Sequence, residues 1–158
     1  MKKTIVSLLL VIGAGCLGAS PAQAQSNVAL GAATSPPIGW VQFCQENESE
    51  CASRNSSATT IHLSDANWRK IVKVNADVNN TIVAMTDQEQ WGQPEHWSYP
   101  TTGKGDCEDY VLEKRRRLAQ MGFPLNTLLI TVVRDLKGDG HAVLTVKTDR
   151  GDFVLDNQ

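Results

Sequence analysis

The apolar residues of this chain change period at Leu125, and that change constrains the fold more than any other feature. Upstream, Trp68, Ile71, Val72, Asn75, Val78 and Ile82 recur at helical spacing behind Ser64, a residue type that caps helix starts. The pattern predicts a helix over 65–85. A second one is predicted over 106–121, with Cys107, Tyr110, Val111, Lys114, Leu118 and Met121 along its inner side. Glu113, Arg115, Arg116 and Arg117 then look outward, and Gly122 and Pro124 are stop signals. The run Lys114 to Arg117 reads as a solvated face that complements the helix C-terminal dipole. Downstream of the change, Leu125 to Arg134 reads as a buried strand and His141 to Thr148 as an alternating one. Phe153 to Asp156 is a further strand, with turns at 137–140 and 149–152. Two helices followed by three antiparallel strands make an α+β fold, with helices packed on an antiparallel sheet. Residues 38–60 show no clear period. Residues 86–104 read as a long loop broken by Gly92, Pro94, Pro100 and Gly103. The loop aromatics Trp91, Trp97 and Tyr99 are either packing pins or the lining of a substrate groove.

The N-terminus sets the compartment. Lys2 and Lys3 precede an apolar run from Ile5 to Leu17, and Ala22-Gln23-Ala24 offers the small residues a signal peptidase needs. Residues 1–24 therefore read as a secretory signal cut before Gln25, and 25–37 as a Ser/Ala/Gly/Pro-rich lead-in. One domain occupies 38–158. No other segment is apolar enough to span a bilayer, so no membrane span is expected after cleavage. The chain has 15 Lys+Arg against 17 Asp+Glu. Loss of the leader's two lysines makes it more acidic still, which argues against a nucleic-acid partner. The expected location is beyond the inner membrane, in the periplasm.

Cys16 leaves with the leader, and Cys44, Cys51 and Cys107 remain. Cys44 and Cys51 flank a short polar loop and are the natural disulfide in an oxidising compartment. Cys107 is left over, either as a buried free cysteine or as a reactive one. It lies in the first turn of its helix, behind Gly103-Lys104-Gly105, where unpaired N–H groups favour a thiolate. His141 opens one strand and Asp156 closes the next. An imidazole can hold a thiolate and protonate a leaving amine, and a carboxylate behind it fixes its tautomer. A turn centred on Arg150-Gly151 would put Asp156 opposite Thr145, on the face of His141 but about 13 Å along the strand. Joining the two then requires a register shift of about four residues. The rival readings are a turn histidine and a carboxylate that merely ends a strand. No second Cys or His stands at metal-ligand spacing nearby, which argues against zinc. His62 and His96 read as surface or loop residues.

Gly105-Asp106-Cys107-Glu108-Asp109-Tyr110, with Gly140-His141-Ala142-Val143-Leu144 and Leu155-Asp156-Asn157, resembles the bacterial transglutaminase-like cysteine proteinases. The resemblance covers 38–158 and implies a papain-like/transglutaminase-like core. Cys44 and Cys51 also resemble a cysteine pair of that family. It implies a periplasmic cysteine protease with Cys107 as nucleophile, His141 as general base and acid, and Asp156 as orienter. LapG-type members cut a large biofilm adhesin, need calcium, and answer to an inner-membrane receptor that senses cyclic di-GMP. Their calcium-binding acids map onto Asp106, Glu108 and Asp109, oxygen ligands of the kind a hard cation takes. In a first helical turn such acids also simply complement the dipole. Members usually continue with further strand beyond the position of Asp156, so a C-terminally short domain is expected. Two rivals stand beside the protease: a transglutaminase-type acyl transfer, and an inactive calcium- or protein-binding module of the same fold.

Overall fold

A computed structural model describes residues 35–51 and 59–158. The expected secretory leader at 1–24 and most of the expected lead-in at 25–37 lie outside the described residues. Among the described residues, no helix is long and apolar enough to cross a membrane.

The stretch without a clear period folds as two short helices, α1 (Ile38–Glu46) and α2 (Glu48–Cys51). They bend at Asn47, whose backbone and side-chain N–H groups both donate to the Phe43 carbonyl. The Cys44–Cys51 disulfide closes the bend. Only Gly39 and Phe43 of α1 are buried, so its apolar stripe is too thin to register as a period. Phe43 packs with Trp97 and Leu112 in a small apolar cluster, flanked by Trp40 and Tyr99. Trp97 lies so close over Gly39 that a side chain there would overlap the indole ring. The loop aromatics Trp97 and Tyr99 thus act as packing pins.

The main core is built on α3 (Asp65–Thr81) and α5 (Cys107–Gln120) against a three-stranded sheet. Ser64 Oγ accepts from the Asn67 N–H at 3.2 Å, the cap expected there. The buried face of α3 is Ile71, Val74 and Val78, whereas Trp68 and Val72 are largely exposed. Trp68 leans on Phe153 of the sheet instead of entering the core. The helix stops four residues early, because Val83–Ala84 (β1) leave it to pair in parallel with Lys104–Gly105 (β2). Within the supposed long loop sits α4 (Asp87–Trp91), opened by a complete Thr86/Glu89 capping box.

Beyond a 3-10 turn at Leu125–Thr127 come β3 (Leu128–Arg134), β4 (Gly140–Thr148) and β5 (Gly151–Leu155), antiparallel in the order β3-β4-β5. Strand β4 is central and almost wholly buried, with α5 across it. Strand β3 is buried only at its start, and Val132 and Val133 are exposed. Enclosing each of Leu118, Leu144 and Val146 contributes about 1.5–3 kcal/mol relative to exposure.

The basic run of α5 is not a solvated face. Lys114 is fully enclosed and Arg115 is buried. Arg115 donates to the Leu128 carbonyl and meets Glu50 at 3.3 Å. Arg116 and Arg117 both grip Glu113 at 2.6 Å, and Glu113 is itself buried rather than turned outward. Met121, expected inside, is largely exposed. Charge pairing across α5 replaces the simple inside–outside division that the sequence pattern suggests.

Candidate active site

Cys107 is the first residue of α5 and follows Asp106, the N-cap. Strand β2 delivers it: Gly105 is buried against Asp109, so the chain turns into the helix directly off the β1–β2 pair. The thiol donates to Glu108 Oε2 at 3.0 Å, and the Ala142 backbone N–H is directed at the sulfur. The nucleophile candidate therefore rests against the start of β4, one residue past His141.

His141 is buried, and its Nε2 lies 2.8 Å from Asp156 Oδ1. The register explains the contact. The turn occupies Asp149 and Arg150, Thr148 pairs with Gly151, and Leu144 with Leu155. Asp156 consequently continues opposite Val143 and not Thr145. A two-residue change from the expected register, plus the reach of two side chains, brings the pair together; the four-residue shift is unnecessary. Asn79 Nδ2 holds the Asp156 carbonyl at 2.8 Å, fixing the chain just past β5. Burial pushes the Asp156 carboxyl up, but the Gln158 N–H and His141 outweigh it and hold it below the ordinary value. Gln158 Nε2 lies 3.4 Å from His141 Nδ1.

The electrostatics of the thiol run against the helix-start argument. Burial, then the hydrogen bond and charge of Glu108, push the Cys107 thiol up to about 12; the Ala142 N–H opposes them. Burial and the charge of Asp106 raise Glu108 to about 8. Asp106 is raised by burial and by the charges of Asp87 and Glu95, while a hydrogen bond with Glu108 opposes the shift. The two acids titrate as a pair.

Asp87, Asp106 and Glu108 each offer a carboxylate oxygen within 4.8 Å of the others. Asp87 was not legible as a ligand in the sequence. It reaches the group because α4 docks on β2, with the Asp87 N–H donating to Asp106 Oδ2 at 3.1 Å. Its own carboxylate also accepts from the His96 N–H. Asp109 stands apart from this group. Its Oδ1 accepts from the Ser98 N–H at 2.9 Å, and its Oδ2 is buried without a partner among the described residues. Burial, with the charges of Asp106 and Asp87, pushes Asp109 up to about 7. His62 is exposed and meets Asp149 at 2.6 Å, whereas His96 stacks edge-on against Trp91; neither joins the site.

The family model of the bacterial transglutaminase-like cysteine proteinases matches residues 30–158. No curated protein matches the chain.

Proposed function

The chain belongs to the bacterial transglutaminase-like cysteine proteinases, and from that premise we propose that it is a cysteine endopeptidase using Cys107, His141 and Asp156. The contact that carries the reading is His141 Nε2 to Asp156 Oδ1 at 2.8 Å. With Nε2–H donated to the carboxylate, Nδ1 is the basic nitrogen, and it takes the proton of Cys107. The sulfur attacks a peptide carbonyl and a thioester forms. The imidazolium returns its proton to the leaving amine, and a water activated by Nδ1 then releases the acyl group. The backbone N–H of Cys107, free at the helix start, is a donor for the oxyanion. In the state described here the thiol is protonated and spent on Glu108, so it must turn from Glu108 to His141 before attack.

The group formed by Asp87, Asp106 and Glu108 suits calcium. The ligands are all hard oxygens at a mutual spacing one cation can span, and Asp106 Oδ1 is buried with no hydrogen-bond partner among the described residues. A bound cation would keep these carboxylates ionised and tie α4 to the first turn of α5. Secretion to the periplasm is supported by the leader at 1–24. A surface adhesin as substrate and a membrane receptor as regulator are supported by the resemblance of the Gly105–Tyr110 motif to LapG-type proteases.

Iodoacetamide alkylation against pH, on the mature protein, His141→Ala and Asp156→Asn, tests the site. Alkylation requires the thiol to leave Glu108 for His141, so the expected result is faster alkylation of the native protein near neutral pH than of either variant, whose thiols stay at or above the ordinary range near pH 8.5. Equal profiles in all three would sink the reading. Peptide cleavage that disappears in Cys107→Ala separates the enzyme from a binding module, and hydroxylamine incorporation without cleavage would point to acyl transfer.

A further inference from the structure

Asn79 sits in the last turn of α3, next to the buried Val78, at a place where Leu or Lys would favour the helix more. Its Oδ1 is buried with no hydrogen-bond partner among the described residues, a cost that an apolar side chain would not carry. Its Nδ2 donates to the Asp156 carbonyl at 2.8 Å. The acceptor lies where the sheet gives out. The β4–β5 ladder ends at the pair Leu144 and Leu155, so Asp156 stands one residue beyond the last rung. From there the chain turns back, and the Gln158 N–H donates to Asp156 Oδ1 at 3.0 Å. The same Oδ1 lies 2.8 Å from His141 Nε2. The carboxylate is therefore aimed by a backbone past the end of the ladder, and the Asn79 amide ties that backbone down. The helix presenting the amide is itself fixed to the helix of the nucleophile. The carbonyl of Ile82, the C-cap of α3, accepts from the Tyr110 hydroxyl at 2.7 Å, and Tyr110 is three residues past Cys107 on α5.

We propose that Asn79 is a positioning residue: by holding the Asp156 carbonyl it sets the carboxylate against His141 Nε2, and so fixes which imidazole nitrogen is left for Cys107. The contacts run in series, from the Asn79 amide to the Asp156 carbonyl and from Asp156 Oδ1 to Nε2. The proton held on Nε2 leaves Nδ1 as the basic nitrogen. Without the amide, the Asp156 backbone is free to shift, the bond to Nε2 weakens, and the ring can take the other tautomer. Misplacement by about 1 Å at a distance from the chemistry can cost about a hundredfold in rate. The effect on the imidazole stands on these distances; the effect on turnover rests on the peptidase reading above.

The test reads the His141 ring by proton–nitrogen NMR in the native protein, Asn79→Asp and Thr81→Val. Asn79→Asp keeps the shape of the amide but offers no donor once ionised. Thr81→Val is the control from the same turn, since the Thr81 hydroxyl donates to the Asp77 carbonyl at 2.8 Å within α3. The native protein and Thr81→Val should show one neutral tautomer, with the proton on Nε2, and Asn79→Asp should show both. A single Nε2–H tautomer in folded Asn79→Asp overturns the proposal, and so do mixed tautomers in the native protein or in Thr81→Val. If Asn79→Asp does not fold, Asn79→Ala, which lacks the donor and brings no charge, is read in the same way. In turnover, Asn79→Asp should lower kcat by about tenfold to a hundredfold and leave KM near native, with Thr81→Val unchanged in both. An unaltered kcat, or a loss carried by KM alone, overturns the positioning role. A native protein that cleaves nothing refutes the peptidase reading, while the tautomers still decide whether Asn79 sets the ring.

Discussion

Gly105→Ala isolates the geometry that sets Cys107 in place. The residue has no positive φ, so alanine suffers no backbone strain and would by itself gain about 0.4–1 kcal/mol through the unfolded chain. Space decides the outcome. A β-carbon built on Gly105 stands 2.6 Å from Asp109 Cβ and 3.0 Å from its Cγ, and overlaps Oδ2. Asp109 Cβ is fixed to the first turn of α5, so rotation of the side chain does not relieve the contact. Overpacking of this kind costs about 1–3 kcal/mol. Displacing Asp109 also strains its bond to the Ser98 N–H, a bond to an ionisable group that contributes about 1.5–3 kcal/mol. Less the gain from the unfolded chain, the net loss is about 1.5–5.5 kcal/mol, and at about 4 °C per kcal/mol the melting temperature falls by about 6–22 °C. Gly103→Ala is the control. Gly103 has φ +77° and nothing within 4 Å of its β-carbon, so it carries only the left-handed penalty of about 1–2 kcal/mol. Both melts are read by circular dichroism at the same pH. If Gly105→Ala melts within a degree of the native protein, or above Gly103→Ala, the close-approach argument is wrong.

Two further outcomes follow from the acids around the thiol. Asp109 ionises near 3.8 when unfolded and about 7 when folded, so the folded state holds its proton across that interval. Its stability is complete below about pH 4 and is lost as pH rises through about 7; Asp109→Asn keeps the Ser98 bond and removes the loss. At 1.36 kcal/mol per pH unit the variant should gain up to about 4 kcal/mol on the native protein by pH 8 in calcium-free buffer, and parallel denaturant profiles from pH 4 to 8 would refute this. Calcium should raise the native melting temperature and release protons from the Asp106/Glu108 pair, and EDTA should reverse both. Asp87→Asn should abolish the calcium effect, and an undiminished calcium shift in that variant would exclude Asp87 as a ligand.

The α+β order was legible because α3 and α5 each bury a face and β4, flanked by β3 and β5, is almost wholly buried. Elements escaped the pattern where burial is sparse or charge is buried. Helix α1 encloses two residues, and α4 is five residues long with Asp87 as its buried side chain. The T-x-x-E signal at Thr86 and Glu89 was available for α4, and it names the start of a helix whatever its apolar content. The outward reading of Glu113 and Arg115 failed for a related reason. Hydropathy treats a charge as solvent-seeking, but Glu113 satisfies two arginines at once, and Arg115 spans from Glu50 to the Leu128 carbonyl. Pairing of that kind is a property of three-dimensional neighbours and leaves no trace in a one-dimensional period.

The site divides along the same line. The parity of a strand is written in its sequence, so the shared face of His141 and Asp156 could be read from spacing alone. Register is set by the turn, and the two turn residues are Asp149 and Arg150, one position earlier than Arg150-Gly151. Asp149 stabilises that choice from outside the hairpin: its carboxylate accepts from the Leu63 N–H and meets His62, and its N–H donates to the Ile61 carbonyl. A segment eighty-six residues upstream therefore helps fix where Asp156 falls relative to His141. The thiol shows the limit of the local argument in energetic form. A helix start favours the thiolate, but burial beside Glu108 is the stronger influence, and only the folded neighbourhood reveals which one wins.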